Sequence, residues 1–145
     1  MVKAQRSARG LRPDEISDVD VLAADDCWSL LAKENVGRIA LHTHDGVDIF
    51  PVNFTVNDGN IFIRSAPGSK LIDIAIDPAV AFEVDGKRAR TYWSIVVKGT
   101  AERMSFDSEI RESGVLDLQT VTSSAKWNYV RISVREITGR RVLRR

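Results

Sequence analysis

Residues 36–65 read Val36-Gly37-Arg38-Ile39-Ala40-Leu41-His42-Thr43, His44-Asp45-Gly46, Val47-Asp48-Ile49-Phe50-Pro51-Val52-Asn53-Phe54-Thr55-Val56, Asn57-Asp58-Gly59-Asn60 and Ile61-Phe62-Ile63-Arg64-Ser65. Runs of apolar and alternating character, separated by Asp45-Gly46 and Asn57-Asp58-Gly59-Asn60, predict three strands, 36–43, 47–56 and 61–65, joined as an antiparallel meander. In the middle strand Phe50, Val52, Phe54 and Val56 share one face, and Ile49, Pro51, Asn53 and Thr55 share the other. Pro51 has no N–H to give to a ladder. Its strand is therefore expected to be exposed there, bulged, or facing something other than a neighbouring strand.

Upstream, Asp25 and Asp26 followed by Cys27, Leu30, Leu31 and Glu34 at helical spacing predict a helix over 24–34, with Gly37 as a stop signal. Downstream, a short helix is expected over 69–76 and a fourth strand over 79–84. Asp85-Gly86 reads as a turn, and a long fifth strand over 91–104 carries Trp93, Ile95 and Val97 on one face. Ser105 can cap a helix that Gly114 ends. The segment 115–125 is weakly patterned, and a sixth strand runs from 127 to 136. Six strands with hairpin-length links predict a mainly β fold, an antiparallel barrel with short helices outside it or plugging its ends. Residues 1–20 hold four basic and then four acidic side chains with no apolar face, and 1–18 are expected to be a flexible arm ahead of one domain, 19–145.

A chain of 145 residues and 16.2 kDa is sized for that single domain. With 43% hydrophobic and 28% charged residues, its composition is that of a globular protein. A formal charge of +1 is too balanced for a protein that tracks a nucleic-acid backbone, so no nucleic-acid partner is expected and any phosphate is handled locally. The balance conceals a basic end, since residues 131–145 hold six Arg and one Glu. No run reaches the roughly 18 apolar residues of a membrane span, and no apolar stretch follows the basic N-terminus, so a cytoplasmic protein with no membrane partner is expected. Cys27 is the single cysteine, which excludes an intramolecular disulfide and a cysteine-built metal cage.

Side chains able to do acid–base or nucleophilic chemistry are scarce, and no catalytic residue can be named from the pattern. His42 and His44 share a strand face but have no third ligand beside them, so no metal site is expected. No Gly-rich nucleotide loop is present. The segment Arg64-Ser65-Ala66-Pro67-Gly68-Ser69-Lys70 is richer. Two cations, Arg64 and Lys70, and two hydroxyls, Ser65 and Ser69, gather where a strand gives way to a helix, which is the chemistry of a phosphate site. The same residues also suit an ordinary capped turn. Trp93 could stack on a planar ring and Ser94 could bond its edge, although strand aromatics commonly belong to a core. Asn53 offers an amide beside Pro51.

Taken in order, these clusters resemble the pyridoxamine 5'-phosphate oxidase-like split β-barrel family, in its small actinobacterial form. The resemblance spans about residues 20–142 and rests on Cys27-Trp28-Ser29-Leu30-Leu31, Val36-Gly37-Arg38-Ile39-Ala40, Phe50-Pro51-Val52-Asn53-Phe54, 62–70, 80–85, 93–99 and Ile137-Thr138-Gly139-Arg140. It implies a six-stranded split barrel working as a homodimer, with a flavin in the groove between subunits. The flavin phosphate would lie near Arg64, Ser65, Ser69 and Lys70, with Pro51, Val52 and Asn53 lining the ring and Trp93 and Ser94 approaching it. Such proteins are oxidoreductases that pass hydride to a small-molecule substrate with FMN or with the deazaflavin coenzyme F-420, while others bind flavin without turnover. The C-terminal Arg and His pattern of the vitamin-specific oxidases is not met here, because the tail 138–145 contains no His.

Overall fold

The structure, a computed structural model, describes residues 16–65, 77–104, 107–117 and 128–144. The expected helix over 69–76, and with it Ser69 and Lys70, lies outside the described residues. The elements are β1 (Ile16–Leu22), α1 (Ala24–Leu31), β2 (Val36–Thr43), β3 (Gly46–Asn57), β4 (Asn60–Ser65), β5 (Ala79–Arg88), β6 (Thr91–Arg103), α2 (Asp107–Ser113), a 3-10 turn (Val115–Asp117) and β7 (Asn128–Arg144). The strands form one antiparallel sheet in the order β1-β7-β4-β3-β2-β5-β6, which closes through a β6–β7 pairing. Six strands, β2 to β7, therefore make the closed barrel that the pattern predicts, and β1 is a seventh strand laid against it.

The barrel is split because two strands change partner along their length. β3 pairs with β2 through Gly46–Asn53 and with β4 only through Phe54–Asn57. β7 pairs with β4 through Asn128–Ser133 and with β1 through Gly139–Arg144, while β6 follows its other edge from Val130 to Leu143. The first expectation to be corrected is the C-terminus. The last strand does not stop at Glu136 but runs to Arg144, so the Arg-rich end is a barrel strand. Likewise the last residues assigned to the flexible arm, 16–18, already belong to β1.

The inward faces carry the core. Ile39, Leu41, Phe54, Ile61, Ile63, Phe82, Val84, Ile95, Val97 and Ile132 are all buried in one cluster, with the Phe54 and Phe82 rings edge to face at 5.0 Å. Such a pair adds roughly 0.5–1.5 kcal/mol beyond its burial. α1 closes one end of the barrel. Asp25 and Asp26 lie in its first turn, where they favour the helix dipole, and Cys27 and Leu31, one turn apart, are buried. The helix stops at Leu31, short of Glu34. The chain continues for one tighter turn, in which Lys33 and Glu34 donate to the carbonyls of Leu30 and Leu31 at 3.2 and 3.1 Å.

Two glycines are where they are for packing, against the turn and stop roles their sequence context suggests. Gly37 lies within β2, and a Cβ there would be 2.3 Å from the Phe82 ring. Gly86 lies within β5 opposite Trp93, and a Cβ there would be 2.5 Å from the indole. The actual turn is Ala89-Arg90, closed by Arg88 opposite Thr91, with Ala89 at φ +53°. By contrast Asp58 and Gly59, at φ +52° and +73°, make the tight hairpin turn that Asn-Asp-Gly-Asn predicts. Gly86→Ala should destabilise the fold by about 1–3 kcal/mol through overpacking against Trp93, read as a lower urea midpoint at unchanged slope.

Candidate functional site

The outward face of β3 carries two of the candidate residues, Pro51 and Asn53, and β4 brings Arg64 beside them. Phe54 N–H donates to the Asn35 carbonyl at 2.9 Å, towards β2. By strand alternation the backbone polar groups of Pro51 and Asn53 then point to the opposite edge, and the β3–β4 ladder begins only at Phe54. A proline is tolerated at 51 because its missing N–H falls on that side. Ile63 pairs with Phe54, so Arg64 follows on opposite Asn53, at the point where β3 and β4 part. By register, then, Arg64, Asn53 and the strand edge at Pro51 are neighbours.

Arg64 is held from behind. Its Nη1 donates to the Leu116 carbonyl at 3.2 Å, and Asn57 Nδ2 donates to the Glu112 carbonyl at 2.9 Å. Together these tie α2 and the 3-10 turn to the β3–β4 hairpin. Beneath them Phe62, Met104 and Val115 form a second, smaller buried cluster with Ile110 and Tyr129 against it. Of the other candidates, Val52 faces inward and packs on the core. Ser65 ends β4 opposite Asn128. Trp93 and Ser94 diverge: Trp93 is buried with the core, whereas Ser94, next along the strand, faces outward between Asp85 and Arg140.

An ionic cluster on this face was not singled out in the sequence. Arg38, opposite Pro51 on β2, donates through Nε to Glu83 Oε1 at 2.9 Å and pairs with Asp85 as well. Burial pushes the Glu83 carboxyl up, the Asp85 charge adds to this, and the Arg38 guanidinium only partly opposes them. The residues stand 45 and 47 positions from Arg38, so only the β2–β5 register brings them together. His42 does not pair with His44; its Nδ1 bonds Asp77 Oδ2. That contact, with Ala79 N–H donating to Asp77 at 3.1 Å, holds the Asp77 carboxyl below its usual range.

A carboxyl raised in the folded state favours the fold at low pH, and that advantage fades as pH climbs from the ordinary glutamate range near ~4.3 through the raised value. Glu83→Gln should therefore gain stability relative to the parent as pH rises through that window, measured by urea unfolding at stepped pH. A difference that is flat or falls with pH would contradict the assignment.

With this geometry in place, comparison with known proteins is informative. Residues 23–141 match the family model described as pyridoxamine 5'-phosphate oxidase. A Corynebacterium glutamicum protein, provisionally described as a pyridoxamine 5'-phosphate oxidase, is 38% identical, with TM-score 0.79 over 87% of this chain and 99% of that one. An FAD-binding protein from Mycobacterium smegmatis is 32% identical, with TM-score 0.74 over 86% and 98%. An uncharacterised Mycobacterium tuberculosis protein is 35% identical over 59% of this chain and 77% of its own length.

Proposed function

Since the chain belongs to the pyridoxamine 5'-phosphate oxidase family, we propose that it is a flavin-dependent oxidoreductase that works as a homodimer and transfers hydride to a small-molecule substrate. The observation that carries this reading is the register that makes Arg64, Asn53 and the strand edge at Pro51 neighbours. Arg64, with Ser65, Ser69 and Lys70 close by in the chain, would hold the flavin phosphate. Pro51, Val52 and Asn53 would line a planar heterocycle, with the edge-facing backbone of Pro51 and Asn53 and the Asn53 amide as its donors and acceptors. The flavin-binding neighbour from Mycobacterium smegmatis supports the cofactor class. A bound flavin supplies the hydride-accepting and hydride-donating centre. The chain supplies binding, orientation and exclusion of water.

The dimer has its own support. Val36, Val47 and Ile49 are exposed on the same face, Ile49 to 67%, flanking the small residues Ala40 and Ala81 that pair across β2 and β5. Exposed aliphatic side chains grouped on one sheet face suit a subunit contact.

The purified protein should bind FMN, and Arg64→Ala should weaken uptake at least tenfold, the scale of one charge-assisted phosphate contact. Parallel titration with coenzyme F-420 separates the deazaflavin alternative. Reoxidation of bound reduced cofactor by an acceptor, no faster than in free solution, would identify a carrier without turnover. A protein that takes up neither cofactor overturns the proposal. Ile49→Glu should halve the native mass and lower cofactor uptake with it; a dimer that survives this change places the contact elsewhere.

A further inference from the structure

At the barrel end closed by α1, a cavity of about 630 Å³ lies among α1, β1, the β5–β6 hairpin and the end of β7. It is not part of the face just described. Trp93, which lines it, pairs with Arg141 on β7, while Arg64 pairs with Tyr129 on the same strand, twelve positions away. Its volume is in the range of small-molecule sites, and barrel mouths are common places for them.

The lining is chemically one-sided. Trp93 is 9% exposed, and Gly86 lets its indole lie directly on the β5 backbone, so the aromatic surface is fixed in place. Around it stand Lys33, Lys87, Arg88 and Arg141, against Asp20 and Glu34. Asp20 lies 3.5 Å from Arg141, and the Lys87 ammonium sits 5.3 Å over the Tyr92 ring. Lys33, just past the end of α1, and Arg88, at the hairpin turn, then outweigh Glu34. The turn beside Arg88 keeps Ala89 in the left-handed region, as a two-residue hairpin turn requires.

We propose that this cavity binds a small aromatic carboxylate. The apolar ring would leave water against Leu30, Leu143 and the exposed edge of Trp93, and the carboxylate would meet Arg88 and Lys33 in a partly enclosed space where charge-assisted bonds are strong. A neutral aromatic leaves the cationic excess unanswered, and a small inorganic anion leaves the apolar lining unfilled.

The test is calorimetric titration of the protein, saturated with FMN where it binds, with 2-naphthoate and with its neutral analogue 2-naphthamide. The naphthoate should bind once per chain and at least tenfold more tightly than the amide. The pair Lys33→Gln and Arg88→Gln, both at the rim, should remove most of that preference, whereas Arg64→Ala should leave it intact. Equal affinity for acid and amide overturns the proposal without any variant. So does a preference untouched by the rim substitutions, absence of binding at millimolar ligand, or displacement of bound FMN by naphthoate, which would assign the ligand to the flavin face instead.

Discussion

Everything in the fold depends on β7 pairing on both of its edges. One edge follows β6 from Val130 to Leu143; the other serves β4 first and β1 later. A strand of 17 residues cannot stay flat over that distance, because strands twist, and the coil of β7 carries the sheet round until it closes. The change of partner on its outer edge also leaves a gap in the wall. α1 fills it, with Cys27 Sγ seated where a side chain on Gly139 would be, 2.6 Å from that Cβ position.

β3 repeats the device in reverse. Its departure from β4 after Phe54 leaves the edge at Pro51 and Asn53 outside that ladder, and Arg64 sits where the strands separate. The candidate site is therefore a product of topology more than of any loop. A seam in a barrel provides backbone donors and acceptors on a rigid element, and the Leu116 carbonyl holds the nearby cation. The ionic cluster of Arg38, Glu83 and Asp85 adds little to stability, because the Arg38 and Asp85 side chains are 40% and 58% exposed and such pairs are worth at most about 1 kcal/mol. Its place in the same row as Pro51 gives it electrostatic weight at the site instead.

Much of this was legible in the chain itself. The meander over 36–65, the inward set Phe50, Val52, Phe54 and Val56, the Gly114 helix stop at φ +82° and the outward position of Pro51 all follow from local pattern. β1 was hidden because its apolar row is not buried: Val19 and Val21 are exposed, only Leu22 reaches the core, and the strand exists through its pairing with β7. The end of β7 was hidden for the same reason, since Arg140, Arg141 and Arg144 look like a solvated tail until a neighbour is known. Gly37 and Gly86 misled because a glycine that makes room for a ring, Phe82 or Trp93, reads like one that makes a turn. Trp93 and Ser94 are adjacent in sequence but face opposite sides of a strand, so shared proximity in the chain did not become a shared site.

The buried position of Cys27 has a chemical corollary. Burial raises its thiol above the usual range, and the neighbouring Asp26 charge reinforces the shift. The sulfur is fully enclosed, and a thiol that neither ionises nor meets solvent is a poor target for oxidants. The chain's single sulfhydryl is thus packing material, shielded from any oxidant in the surrounding solution.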